Sequence, residues 1–381
     1  VRDRLKLTGI AALMAASLLL PAPAAAETSS WSGRVDGPAE SAPKKEPQPK
    51  APRGPVKIIK TVPSTPAEAP AIAPPATAAS PAPAAPPGNN VSAYAKALPP
   101  SDDAAYEAYD QGKYLTALDL AMKAAQKGDP QAHTLVARIY AEGNGAPQNP
   151  TLAAQWYARA AELGDTEGTL AYGVMLAKGE GVAKNFEAAA KMFEAAASRK
   201  HPLANYNLAL LFLKGEGKPE NPYRAFAHML FAAESGVAAA QYDLGTLYTT
   251  GTGVDPNAFE AAKWIGKAAA AGYTDAQVDY AVILFRGHGV PPDQKLGAQM
   301  FRAAAEKGVA VAQNRLARCY ANGAGVETNL VEAAKWHLMA KAAGETDDNL
   351  DKIVAKLSKA DRAKAQKAAD EWRDRMQVGI E

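Results

Sequence analysis

Large apolar residues return to the same place in a 36-residue period along the last two thirds of the chain. Ile139, Met175, Leu211, Leu247, Ile283 and Cys319 hold one phase, and Tyr140, Leu176, Phe212, Tyr248, Leu284 and Tyr320 hold the next. Small residues keep step with them: Ala132, Gly168, Ala204, Ala240, Ala276 and Ala312 at one position, Ala137, Gly173, Ala209, Gly245, Ala281 and Ala317 at another. Small side chains let helices approach closely and large ones fill the space between them, so this block predicts a helix, here helix A. A second block follows in each period, with pairs such as Trp156-Tyr157, Met192-Phe193, Trp264-Ile265 and Met300-Phe301, and alanine pairs such as Ala160-Ala161 and Ala268-Ala269 one turn later. It predicts helix B. Each unit is too small to bury its own apolar face and is stable only when stacked on its neighbours.

The polar positions punctuate these helices at the same period. Six Gly-x-Gly pairs, Gly143/Gly145, Gly179/Gly181, Gly215/Gly217, Gly251/Gly253, Gly287/Gly289 and Gly323/Gly325, recur without insertion or deletion and mark the A-to-B loops. Asn149, Asn185, Asn221, Asn257, Asp293 and Asn329 follow as helix N-caps, with Pro150 and Pro222 at the first helical position, where a proline does least harm. Helix B ends at Gly128, Gly164, Gly236, Gly272, Gly308 and Gly344, the usual left-handed cap. Lys200 takes that place once, so this cap must be made differently or carry strain.

The run Ala240 to Tyr248, then Gly251-Thr252-Gly253-Val254, then Glu260-Ala261-Ala262-Lys263-Trp264 and Lys267-Ala268-Ala269, resembles the Sel1-like repeat, a relative of the tetratricopeptide repeat. The resemblance implies an all-α fold, an α/α solenoid of six 36-residue repeats across residues 130–344, and a scaffold or adaptor role with a protein or peptide as partner. Among exported relatives it implies envelope signalling, including exopolysaccharide regulation through an envelope sensor, or cell-wall assembly. Some secreted, cysteine-rich relatives suggest the competing class, an envelope hydrolase acting on β-lactam or peptidoglycan. Those rely on paired cysteines in each repeat, and this chain has one cysteine in all.

Flanking segments complete the expected array. Residues 101–129, with Tyr109, Gly112 and Tyr114, read as a capping hairpin of tetratricopeptide type. Residues 345–381 read as C-terminal capping helices, with Ser358 as an N-cap and Ile353, Leu357, Ala365, Ala369 and Trp372 available for packing. At the other end Arg2, Arg4 and Lys6 precede an apolar run over residues 7–20 and then Ala24-Ala25-Ala26. This is the layout of a secretory signal peptide over residues 1–26. Cleavage near Ala26 predicts a periplasmic or secreted protein without stable membrane insertion; retention of the segment as an anchor is the alternative. Residues 27–100 turn to Pro and Ala and are expected to form an extended linker. The β-prone basic segment at residues 56–62 reads as a chance apolar patch or as a strand-adding dock.

Charge and residue chemistry narrow the function. With 42 basic against 40 acidic residues, dispersed over the chain, no nucleic-acid-binding patch is indicated. Cys319 takes a phase held elsewhere by Ile, Met and Leu, so it reads as a buried small hydrophobe. The five histidines sit at five different phases and make no ligand pair, so neither metal nor cofactor is expected. No nucleophile elbow or phosphate-binding glycine loop after a strand is found. Nothing marks an enzyme.

A partner surface is expected on helix A. The phases of Thr134, Arg138 and Ala141 share one helical face. In the middle repeats they become Leu170, Tyr206, Tyr242 and Val278, then Val174, Leu210 and Val282, then Leu213 and Phe285. This apolar strip is flanked by Asn207, Asp243 and Asp279 and bounded by Arg138 and Arg318. Two readings stand: a groove that grips a peptide, with Tyr206, Tyr242, Leu210 and Phe285 as anchors, or ordinary core closed by tight curvature.

Overall fold

The computed structural model describes residues 104–378. The signal-type segment, the Pro/Ala-rich stretch and the basic segment at residues 56–62 lie outside the described residues. Among the described residues there are sixteen helices and no strand. Helices α1 (Ala104–Asp110) and α2 (Tyr114–Gln126) make the first hairpin. Six A/B pairs follow: α3 (Pro130–Glu142) with α4 (Pro150–Glu162), α5 (Thr166–Lys178) with α6 (Phe186–Ser198), and α7 (Pro202–Lys214) with α8 (Pro222–Glu234). The other three are α9 (Ala238–Thr250) with α10 (Ala258–Ala270), α11 (Thr274–Arg286) with α12 (Gln294–Glu306), and α13 (Ala310–Asn322) with α14 (Leu330–Ala342). Helices α15 (Asp348–Lys356) and α16 (Lys359–Val378) close the array against α14. From α1 to α15 each helix packs on its neighbours in the sequence, as a solenoid requires, while α16 returns onto α14.

The caps are built as the polar punctuation predicts. The Asn149 side chain accepts from Leu152 N–H at 3.0 Å, Asn185 from Ala188 at 2.9 Å and Asn221 from Arg224 at 3.0 Å. Asn257, Asp293 and Asn329 do the same for Glu260, Leu296 and Glu332. Each of these cap residues also donates its own backbone N–H to the end of the preceding helix A, for example Asn221 to Phe212 O at 2.9 Å and Asn257 to Tyr248 O at 2.9 Å. The loop is thereby tied at both ends, which explains why its length never varies. Ser358 caps α16, accepting from Asp361 N–H at 3.1 Å.

One glycine per loop is demanded by the neighbouring repeat. Gly253 has φ +72°, and a Cβ there would fall 2.1 Å from Pro222 O at the start of α8. Gly217 stands in the same relation to Phe186 O, at 2.2 Å. The second glycine of the pair therefore lets one repeat's loop touch the backbone of the helix B before it.

Lys200 shows how the exceptional cap is made. It adopts φ +61°, its N–H donates to Ala197 O at 2.8 Å, and His201 N–H donates to Ala196 O at 3.2 Å. These are the bonds that Gly164 and Asp165 make to Ala161 and Ala160. A lysine is simply forced into the left-handed cap, at a cost of about 1–2 kcal/mol.

The core runs along the stacked faces and is rich in alanine, with Phe193, Leu211, Met229, Leu244 and Leu316 among its fully buried large side chains. Cys319 is buried in it, and burial pushes its thiol pKa up to about 12.

Candidate functional site

The A-helix strip divides into two parts. Leu170, Val174, Tyr206 and Leu210 are buried in the core of the second and third repeats. Leu213, Tyr242, Val278, Val282 and Phe285 are half-buried. The Phe285 ring stacks on Phe301 at 5.7 Å, while Val278 and Val282 pack beside it on the same cluster. The Tyr242 ring lies 5.4 Å from Tyr273. Apart from Leu213 near the end of α7, the open stretch of the strip is thus in repeats four and five, on α9 and α11.

The bounding arginines are both engaged within the protein. Arg138 pairs with Glu142 at 3.1 Å and lies 4.7 Å above the Tyr109 ring, while Tyr109 donates its hydroxyl to the same Glu142. Arg318 pairs with Asp347 at 2.6 Å, and Asn314 also donates to that carboxylate, at 3.3 Å. Burial raises the Asp347 carboxyl, but Arg318, the Leu350 N–H and Asn314 outweigh it and hold the pKa below the ordinary value. The two ends of the strip are therefore locked to the capping segments.

Between them runs a ladder that joins consecutive A helices. The Tyr206 hydroxyl donates to Asp243 Oδ2 at 2.9 Å, and one repeat further on the Tyr242 hydroxyl donates to Asp279 Oδ2 at 2.8 Å. Burial drives the Asp243 carboxyl up to about 6, against the lowering effect of the Tyr206 bond. Asp279 is raised as well, first by burial and also by Asp275, with the Tyr242 bond opposing. Both tyrosines are pushed far above the ordinary phenol value, by burial first and then by their aspartates. Sequence reading placed Asp243 and Asp279 only as flanks. The signal that could have promoted them is a tyrosine and an aspartate recurring together, in step with the period, at Tyr206/Asp243 and Tyr242/Asp279.

Three of the histidines are held by structural contacts. His228 stacks on Phe212 at 5.8 Å and shares a hydrogen bond with Asn205 at 2.8 Å, and burial lowers its pKa. His201 caps α7 and bonds Glu167 at 2.9 Å. His337 is fully buried and bonds Asp351 of α15 at 2.8 Å. Among the described residues no group of His, Cys, Asp and Glu could hold a metal ion, and no helix is long and apolar enough to cross a membrane.

Consecutive helix pairs, identical loop anchors and a continuous A-helix face define an α/α solenoid of the protein-interaction kind. A protein-family model described as the Sel1 repeat matches residues 130–165, 166–201, 202–237, 238–273, 274–309 and 310–345, and the chain belongs to that family. Sel1 repeat proteins generally act as protein-interaction scaffolds. The chain is similar to a Sel1 repeat protein of Oxalobacter formigenes of known structure, with 29% identity and a TM-score of 0.55 over 64% of this chain and 97% of that one. It is also similar to a protective antigen of uropathogenic Escherichia coli strains that displays an SLR fold. There the identity is 26% and the TM-score 0.47, over 68% of this chain and 64% of that one. Comparison with curated proteins gives no match.

Proposed function

We propose that this protein is an exported scaffold that binds a protein or peptide along the A-helix face of its solenoid and works in the cell envelope. Signalling, including exopolysaccharide regulation through an envelope sensor, is the setting that the family resemblance implies. The observation that carries the binding surface is the half-buried stretch Tyr242, Val278, Val282 and Phe285, left open where the corresponding Leu170, Val174, Tyr206 and Leu210 of the preceding repeats are buried. Aromatic and aliphatic anchors of this kind commonly dominate interface energy. Export rests on the basic start, the apolar run and the small residues at Ala24 to Ala26.

Two experiments test the two halves of this reading. Affinity capture from envelope extract with the full chain is compared with a Tyr242→Ala/Val278→Ala/Val282→Ala variant that keeps wild-type circular dichroism. A partner held by the wild type and lost by the variant supports the A-helix face, and equal recovery overturns it. Cell fractionation with N-terminal sequencing tests export: a chain starting near Glu27 outside the cytoplasm is expected, and an intact chain in the cytoplasm would refute it.

A further inference from the structure

Charge is unevenly distributed over the A helices. Helices α3 and α5 each carry one base and one acid, Arg138 with Glu142 and Lys178 with Glu167, whereas α7 carries Lys214 alone and α13 carries Arg315 and Arg318 with no acid. In the middle the balance reverses. Helix α9 has no basic residue and one acid, Asp243, while α11 carries Asp275 and Asp279 and a single base, Arg286, in its last turn.

Asp243 and Asp279 also differ from the other carboxylates whose ionisation the fold perturbs. Glu167, Asp347 and Asp351 face His201, Arg318, or His337 and Lys341, and all three are lowered. Asp243 and Asp279 are both raised, and neither belongs to an ion pair among the described residues. Asp243 is half-buried and Asp279 exposed, and each is held by a tyrosine hydroxyl through Oδ2 alone, beside the half-buried Tyr242, Val278 and Val282. A carboxylate partly withdrawn from water without a cation, as Asp243 is, costs free energy that an incoming cation would offset. Apolar walls around it strengthen the attraction.

We infer that the occupant of the A-helix face in repeats four and five is an extended peptide segment bearing a lysine or arginine between apolar side chains, with its cation at Asp243 and Asp279. This rests on the proposed A-helix binding surface and names the chemistry that the surface selects. The A helices next to this stretch, α7 and α13, carry bases and no acid, which disfavours cations at the ends of the segment, so a central position is preferred.

The test uses the full chain and bead-displayed nonapeptides, degenerate except at the central position, which is fixed as Lys, Arg, norleucine or Glu. Norleucine keeps the apolar stem of lysine and omits its charge. Wild-type protein is expected to retain the Lys and Arg pools at least tenfold better than the norleucine pool, and the Glu pool least. Asp243→Asn/Asp279→Asn keeps an acceptor for each tyrosine and should bring the Lys-to-norleucine ratio close to one. Asp243→Glu/Asp279→Glu, which keeps the charge, should retain the preference. Equal retention of Lys and norleucine pools by the wild type, lost in the Tyr242→Ala/Val278→Ala/Val282→Ala variant, would overturn the cation inference and leave the binding surface standing. Retention of no pool by the wild type would overturn both.

Discussion

Tyr206 and Asp243 stand 37 residues apart and are joined by one hydrogen bond of 2.9 Å between the A helices of adjacent repeats. Burial sets the carboxyl pKa at about 6, above the ordinary 3.8, so the folded chain holds the proton more tightly than the unfolded chain. Ionised Asp243 therefore costs stability above about pH 6, and the cost fades as the pH falls and is gone below about pH 4. Asp243→Asn keeps an acceptor for Tyr206 and removes the charge. It should stabilise the fold by at most about 3 kcal/mol at pH 7.5 and by almost nothing at pH 4. Denaturant melts at both values decide it; the same gain at each would mean that the charge is not responsible.

The left-handed cap at Lys200 offers a second handle. The backbone bonds around it match those of the glycine caps, so only the Cβ is out of place. Lys200→Gly should raise stability by roughly 0.5–1 kcal/mol, the relief of left-handed strain less the extra freedom of glycine in the unfolded chain. Urea titration of the two proteins measures this, and a loss of stability would show that Lys200 makes a contact worth more than the strain.

Two glycines separate conformation from contact. Gly236 has φ +90° with nothing within 4 Å of an added Cβ, whereas at Gly253 the Cβ would meet Pro222 O. Gly236→Ala should cost about 1 kcal/mol through φ alone, and Gly253→Ala a further 1–3 kcal/mol through overpacking between repeats. Equal midpoints for the two variants would contradict a tight loop-to-helix contact.

The buried thiol of Cys319, with a pKa pushed up to about 12, should be inert in the native state at pH 8. A chromogenic disulfide reagent is expected to label it only at the rate at which the last repeats open. Rapid stoichiometric labelling without denaturant would mean that the phase shared with Ile139 and Leu211 is open at Cys319.

Most of the architecture was legible in the chain. The phases of Ala132, Ile139 and Tyr140 located helix A, Asn149 and its equivalents located the start of helix B, and Gly143/Gly145 located the loop, because capping and left-handed backbone are decided within a few residues. The period also identified which residues share a face, and so brought Leu170, Tyr206, Tyr242 and Val278 together. Exposure along that face was decided only by the tertiary structure. Tyr206 and Leu210 are buried while Tyr242 and Val282 are half-open, because burial depends on how closely successive A helices approach, and that is set by side chains from neighbouring repeats. The pairing of Tyr206 with Asp243 and of Tyr242 with Asp279 was decided in the same way: a repeat fixes the position of each residue in its own helix, but only stacking brings a hydroxyl to a carboxylate one repeat away.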